Sequence, residues 1–101
     1  MAEGTQVQIK TELYLSEPKM FAVVLHNDDI TTMDFVVDLL MRIFHKSTVE
    51  GAEIMMSVHE NGKGIAGVYT YDIAVTKKRQ ADLMSREQNF PLRLSVEEAS
   101  S

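Results

Sequence analysis

The sequence predicts a small α+β sandwich, a three-stranded and mainly antiparallel sheet with three helices packed on one face, in the order β-α-α-β-α-β. Three observations carry that expectation. Short apolar or alternating runs occur near residues 20–25, 64–70 and 92–96, the lengths and patterns of strands. Longer stretches with apolar residues at i, i+3/i+4 lie between them, two in succession after the first strand and one after the second. Capping residues mark where those stretches begin and end.

Each element has its own justification. Val7, Ile9, Leu13 and Leu15 alternate with Gln8, Lys10 and Glu12, a weak strand pattern. A chain end rich in Thr, Glu and Gln and closed off by Pro18 is more often a mobile tail. Residues 1–18 are therefore expected as a tail, roughly 60 Å long at about 3.3–3.6 Å per residue, and 19–101 as one core domain. Met20 to Leu25 is nearly all apolar with two valines, a buried strand. Thr31 or Thr32 then caps a helix in which Met33, Val36, Val37, Leu40, Ile43 and Phe44 follow helical spacing. Asp34, Asp38 and Arg42 make its wet stripe, with Asp38 and Arg42 placed for an i,i+4 pair.

Ser47-Thr48-Val49-Glu50 spells a capping box, in which Ser47 and Glu50 satisfy each other's free backbone N–H groups. The helix it opens runs to Glu60 and stops at Asn61-Gly62, with Ala52, Met55, Met56 and His59 along one face. Gly62, Gly64 and Gly67 punctuate the second strand, about Gly64 to Thr70, and mark a bulge or a close backbone approach. Thr70 or Asp72 opens the third helix, whose buried side is expected to include Ile73, Ala74, Ala81 and Met84. Asn89-Phe90-Pro91 ends it, and Leu92 to Val96 alternates as a half-buried strand.

Composition narrows the possible functions. A chain of 101 residues, 45% of them apolar, is one domain. A core drawn from roughly 80 residues buries about 60% of its unfolded-chain surface, which argues against a second large cofactor cavity. The net charge of −5 argues against nucleic acid, and Lys77, Lys78 and Arg79 read as a solvated helix face. With no cysteine there is no disulfide framework, thiolate zinc site or cysteine nucleophile. No apolar run has the ~7–15 residues of a signal peptide or the ~20 of a membrane span, so a cytoplasmic protein without a membrane partner is the default expectation.

The stretch His26-Asn27-Asp28-Asp29-Ile30-Thr31-Thr32-Met33-Asp34-Phe35 carries the chemistry. It sets an amide, carboxylates and hydroxyls between an apolar strand and an apolar helix, which suits a ligand with a cationic head and an apolar tail. Such a connection can also serve merely to turn the chain and cap a helix. Met33 in the first helical turn adds to the ligand reading. So do Met55 and His59, four apart and projecting together, although methionine alone is usually core filler. His26, Asp28, Asp29 and His59 also suggest a metal-assisted hydrolase. Adjacent residues on an extended segment point to opposite sides, however, and no ligand pair stands at i,i+4, so neither metal nor cofactor is expected. Ser47, Ser57 and Ser85 have no glycine-flanked elbow and no evident base partner, so no catalytic residue is expected.

These residues resemble the ClpS adaptors, bacterial N-degron recognition proteins of the Clp protease system. The likeness runs from about Met20 to Glu97. It rests on Asn27-Asp28-Asp29-x-Thr31-x-Met33-x-Phe35-Val36-Val37 and Met55-x-x-Val58-His59, then Gly62, Gly67-Val68-Tyr69-Thr70, Ala74-x-Thr76-Lys77 and Pro91-Leu92. The resemblance implies a non-enzymatic adaptor. Such an adaptor binds proteins whose first residue is Leu, Phe, Tyr or Trp and hands them to a ClpA-like AAA+ unfoldase with its peptidase. It implies that Asn27, Asp28 and His59 hold the substrate's α-amino group. Asp29, Thr31, Met33, Val36, Met55, Val58 and Leu92 would border or line the side-chain pocket, and Asp72 and Lys77 would face the unfoldase. It also implicates the N-terminal tail in engaging the unfoldase. Thr32 departs from the family's usual proline, Asp72 is a methylene shorter than the commoner glutamate, and Val75 fills a position that is often acidic.

Discrimination against Ile or Val cannot rest on hydrophobicity, because Ile is as apolar as Leu. Cβ branching puts bulk at the pocket mouth, and with Met33 at that rim, Met33→Ala is expected to admit Ile-initiated peptides. Two other readings remain at this stage, the hydrolase and a scaffold that binds helices through its methionine-rich face.

Overall fold

The structure, a computed structural model, describes residues 18–99. The expected tail, Pro18 apart, lies outside them. In chain order the elements are β1 (Phe21–His26), α1 (Met33–Phe44), α2 (Thr48–Asn61), β2 (Lys63–Tyr69), α3 (Tyr71–Glu87) and β3 (Arg93–Glu98). The architecture is the α+β sandwich expected, and both strand pairings are antiparallel.

The strand order is β2-β1-β3. The central position of β1 explains its composition: Ala22, Val23, Val24 and Leu25 are all buried. Val23 pairs with Gly67 but Val24 with Ile65, so Ala66 is the extra residue of a bulge, and its methyl is fully buried in the core.

Thr32, not Thr31, caps α1, its hydroxyl accepting from the Phe35 N–H at 3.2 Å. The buried face of α1 is Phe35, Val36, Leu39, Leu40 and Phe44, slightly rotated from the stripe read in the sequence, and it leaves Met33 44% exposed. Asp38 and Arg42 pair at 2.9 Å. The capping box forms as expected: the Ser47 N–H donates to the Glu50 carboxylate at 2.9 Å, and the Glu50 N–H donates to the Ser47 hydroxyl at 3.1 Å. Gly62 ends α2 with φ 86°, a left-handed conformation that glycine adopts without strain.

The other two helices bury fewer residues than α1, and on α3 they are not all the ones expected. On α2, Gly51 and Val58 are buried and Ile54 and Met55 pack against the core, whereas Met56 and His59 face outward. On α3 the buried residues are Ala74, Ala81 and Ser85, while Ile73 is 49% exposed. Positions 74, 81 and 85 share a helical face and Ile73 is a third of a turn away from it. Ser85 is tolerated there because its hydroxyl donates to the Ala81 carbonyl at 2.9 Å. The Lys77 ammonium donates to the Ile43 carbonyl at the end of α1, at 2.8 Å, and lies 5.5 Å from the Tyr69 ring centroid. Among the described residues no helix is long and apolar enough to cross a membrane.

Candidate functional site

The loop leaving β1 is fastened at both ends. The Asn27 N–H donates to the Gly62 carbonyl at 2.9 Å, joining the end of β1 to the end of α2. Asp28 then organises the turn. One of its carboxylate oxygens accepts from the Ile30 N–H at 2.8 Å and the Thr31 N–H at 2.6 Å; the other accepts from the Thr31 hydroxyl at 2.7 Å. This is an Asx-type turn, followed directly by the Thr32 cap. Partial burial pushes the Asp28 carboxyl up, but the donors from Thr31 and Ile30 together outweigh it, and the group sits below the usual carboxylate range.

Between this loop, the first turns of α1 and the second half of α2 lies a cleft of about 250 Å³. It is lined by Asn27, Asp28, Asp29, Thr31, Met33, Val36, Met55, Val58 and His59. Val36 and Val58 are buried and form its floor, Met33 and Met55 its apolar sides, and the exposed Asn27 and His59 stand at its mouth with the Asp28 carboxylate. A space somewhat below the ~300–1,000 Å³ of drug-sized pockets suits one side chain rather than a large cofactor.

Nine of the ten residues expected around an amine and a side-chain pocket thus share one cleft. Leu92 does not line it. It stands one residue before β3, is 7% exposed within the core, and borders a different cavity with Lys78, Phe90 and Arg93. Asp72 and Lys77 sit in the first two turns of α3, outside the cleft lining.

His26 is also outside the cleft lining. Its Nε2 lies 2.8 Å from the Ser95 hydroxyl, which itself donates to Glu97 at 2.9 Å, so Nε2 carries the hydrogen. Burial, then Arg93, and with it Lys63 lower the His26 pKa against the opposing pull of Glu97. His26 thus stands apart from Asp28, Asp29 and His59, and among the described residues no three His, Cys, Asp or Glu side chains converge as a metal site would require. One contribution escaped the sequence: the backbone N–H groups of Ile30 and Thr31, which hold Asp28. The Asp-x-x-Thr spacing is the signal that would have found them.

Fold and cleft define a small α+β domain with an apolar-floored cleft and hydrogen-bonding side chains at its rim. The chain belongs to the ClpS family: residues 16–95 match the model described as ATP-dependent Clp protease adaptor protein ClpS. It is 50% identical over 93 residues to the ATP-dependent Clp protease adapter protein ClpS of Syntrophus aciditrophicus, covering 92% of this chain and 87% of that one. The ClpS of Acetivibrio thermocellus is 47% identical over 97 residues, covering 96% and 98%. Among solved structures, Agrobacterium tumefaciens ClpS2 bound to L-phenylalaninamide superposes with a TM-score of 0.78 at 36% identity, covering 81% of this chain and 99% of that one. The chain is thus an adaptor of the Clp protease system.

Proposed function

We propose that this adaptor binds proteins beginning with Leu, Phe, Tyr or Trp through the free α-amine and first side chain together, and delivers them to a Clp AAA+ unfoldase with its peptidase. The observation that carries the reading is the convergence of Asn27, Asp28 and His59 on the cleft whose floor is Val36 and Val58. The ligand of the A. tumefaciens relative, L-phenylalaninamide, supports it, since that molecule offers a primary α-amine beside an aromatic side chain.

The chemistry divides between the two ends of the cleft. A free α-amine, with a pKa of about 7.7–8.0, is largely protonated at neutral pH and offers three donors. Asn27 accepts through its side-chain carbonyl and His59 through an unprotonated ring nitrogen. A carboxylate has about four acceptor positions. Asp28 already takes three donors from Ile30 and Thr31, so one position on the oxygen facing the Thr31 hydroxyl is left for the amine. The negative charge is fixed in place before the ligand arrives, which lowers the cost of ordering it on binding.

Acetylation removes the ligand's charge and two donors, and each acceptor left desolvated costs roughly 1–3 kcal/mol. Burying a Leu or Phe side chain between Met33, Met55, Val36 and Val58 contributes about 1.5–3 kcal/mol. Neither contribution suffices alone, so recognition requires both. Fluorescence anisotropy with a Phe-initiated peptide and its acetylated twin tests this: the free peptide is expected to bind at least tenfold tighter, and equal binding overturns the amine site. On the unfoldase side, the exposed Asp72 is the contact this reading assigns first, since the Lys77 ammonium is already engaged with the Ile43 carbonyl.

A further inference from the structure

The exposed side of α2 carries a second concavity, a shallow groove of about 610 Å³ whose described lining comes wholly from that helix. Val49, Ala52 and Met56 form its apolar bed, with Val49 68% and Met56 40% exposed. Glu53 and Glu60 flank it, both exposed, and among the described residues no basic side chain lines it. Neither the fold nor the cleft needs this groove. Val49 and Met56, two turns apart on this side of α2, leave apolar surface open to a partner.

The groove adjoins the cleft along the helix, although no described residue lines both. Met56 lies three residues before His59, and Ala52 three before Met55, so each is the direct neighbour of a cleft-lining residue. We infer that the groove is an extension subsite for the substrate chain itself, taking the segment that follows the first residue and favouring segments that combine basic and apolar side chains. This rests on the reading of the cleft given above. Charge complementarity selects the occupant: Glu53 and Glu60 attract Lys or Arg and repel acidic side chains, while Val49, Ala52 and Met56 accept an apolar one. Geometry sets the register. Crossing a helix of about 10–12 Å diameter at about 3.3 Å per extended residue takes three to four residues, which puts roughly the third to sixth substrate positions over the groove.

The test uses Phe-initiated peptides with identical first two residues, carrying either Lys and Leu or Glu and Ser at positions three to six, with acetylated twins of both. The Lys/Leu peptide is expected to bind about three- to tenfold tighter at low salt, a gap that narrows as salt screens the charges. Glu53→Lys removes most of that advantage. Glu87→Lys, the same charge change at the far end of α3, leaves it intact. Met56→Ser weakens the Leu-bearing peptide and not the Ser-bearing one. Equal loss in the Glu53 and Glu87 variants reduces the effect to net charge and overturns the proposal, as does an unchanged ratio in Glu53→Lys and Met56→Ser. Self-association abolished by those variants, with peptide preference unaltered, assigns the groove to a second copy and equally overturns it. The acetylated twins separate the two levels. If the free amine is required but positions three to six have no effect, the cleft reading stands and the groove fails; if the free amine is not required, both fall.

Discussion

Thr31 donates twice to Asp28, through its N–H at 2.6 Å and its hydroxyl at 2.7 Å, and so decides which way the carboxylate faces. Thr31→Val keeps the shape and the N–H but leaves one carboxylate oxygen without its donor. A hydrogen bond to a charged group is worth about 1.5–3 kcal/mol, so Phe-peptide affinity is expected to fall about tenfold or more, with Thr31→Ser restoring most of it. Anisotropy titrations of the three proteins, with thermal melts to confirm folding, read this directly. The same network predicts an acid response. The Asp28 carboxyl is depressed in the folded protein, so its contribution to stability is fully present above the unfolded value of about 3.9. It is lost as pH falls through the lower folded value. The acid-unfolding midpoint of Thr31→Val should accordingly move to higher pH, while Thr31→Ser stays near the parent. Asn27, Asp28 and His59 were legible as candidates because the sequence places acceptors beside apolar residues. That three of Asp28's acceptor positions are filled was not legible, because it depends on the backbone path through Ile30 and Thr31. Leu92, which only the family resemblance put at the pocket, is a related case. Its alternation with Arg93 and Leu94 shows that it is buried, not which cavity it borders.

The contact between α2 and β2 holds the cleft floor in place. A Cβ built on Gly64 would lie 2.8 Å from a Val58 methyl and 3.4 Å from the Ile54 carbonyl, so only glycine lets the strand come this close to the helix. Val58 is 3% exposed and β-branched, with little freedom to turn aside. Gly64→Ala is therefore expected to destabilise the fold by about 1–3 kcal/mol and to narrow the cleft. Adding Val58→Ala should recover part of that loss in a double-mutant cycle followed by urea unfolding, because the two sites then no longer collide. Strict additivity of the two changes would show that the clash is absorbed elsewhere. Elements with strong local chemistry were readable in advance: α1 from its periodic apolar residues and α2 from the Ser47–Glu50 box. The buried face of α3 was not, since a helix rich in Lys, Arg and Asp packs inward through Ala74, Ala81 and Ser85. Small residues mark a close approach but give little hydrophobic pattern, so Ile73 drew the expected face toward itself.

In the whole molecule, the cleft and the start of α3 are built from separate elements. The cleft is framed by the β1–α1 loop, α1 and α2, whereas Asp72 stands in the first turn of α3 after β2. The order of elements was legible because each has its own boundary signal, and the nearly all-apolar run at β1 pointed to a buried strand. The separation between the two places was not, since it depends on how the helices settle over the sheet. An adaptor that holds a substrate and a partner at once needs such a separation, and it yields a test of the proposed delivery role. Asp72→Lys reverses an exposed charge without touching the core or the cleft, so binding of a Phe-initiated peptide is expected to stay within about twofold of the parent. Association with the unfoldase should weaken, and degradation of a Phe-initiated protein by the unfoldase and peptidase should slow in proportion. Lys77 makes a poorer probe. Its ammonium donates to the Ile43 carbonyl, so removing it disturbs the junction of α1 with α3 as well as any partner contact. If Asp72→Lys leaves delivery untouched while peptide binding persists, the partner meets the adaptor elsewhere. If peptide binding falls with it, the two places are coupled through α3, and the separation seen in the fold does not extend to function.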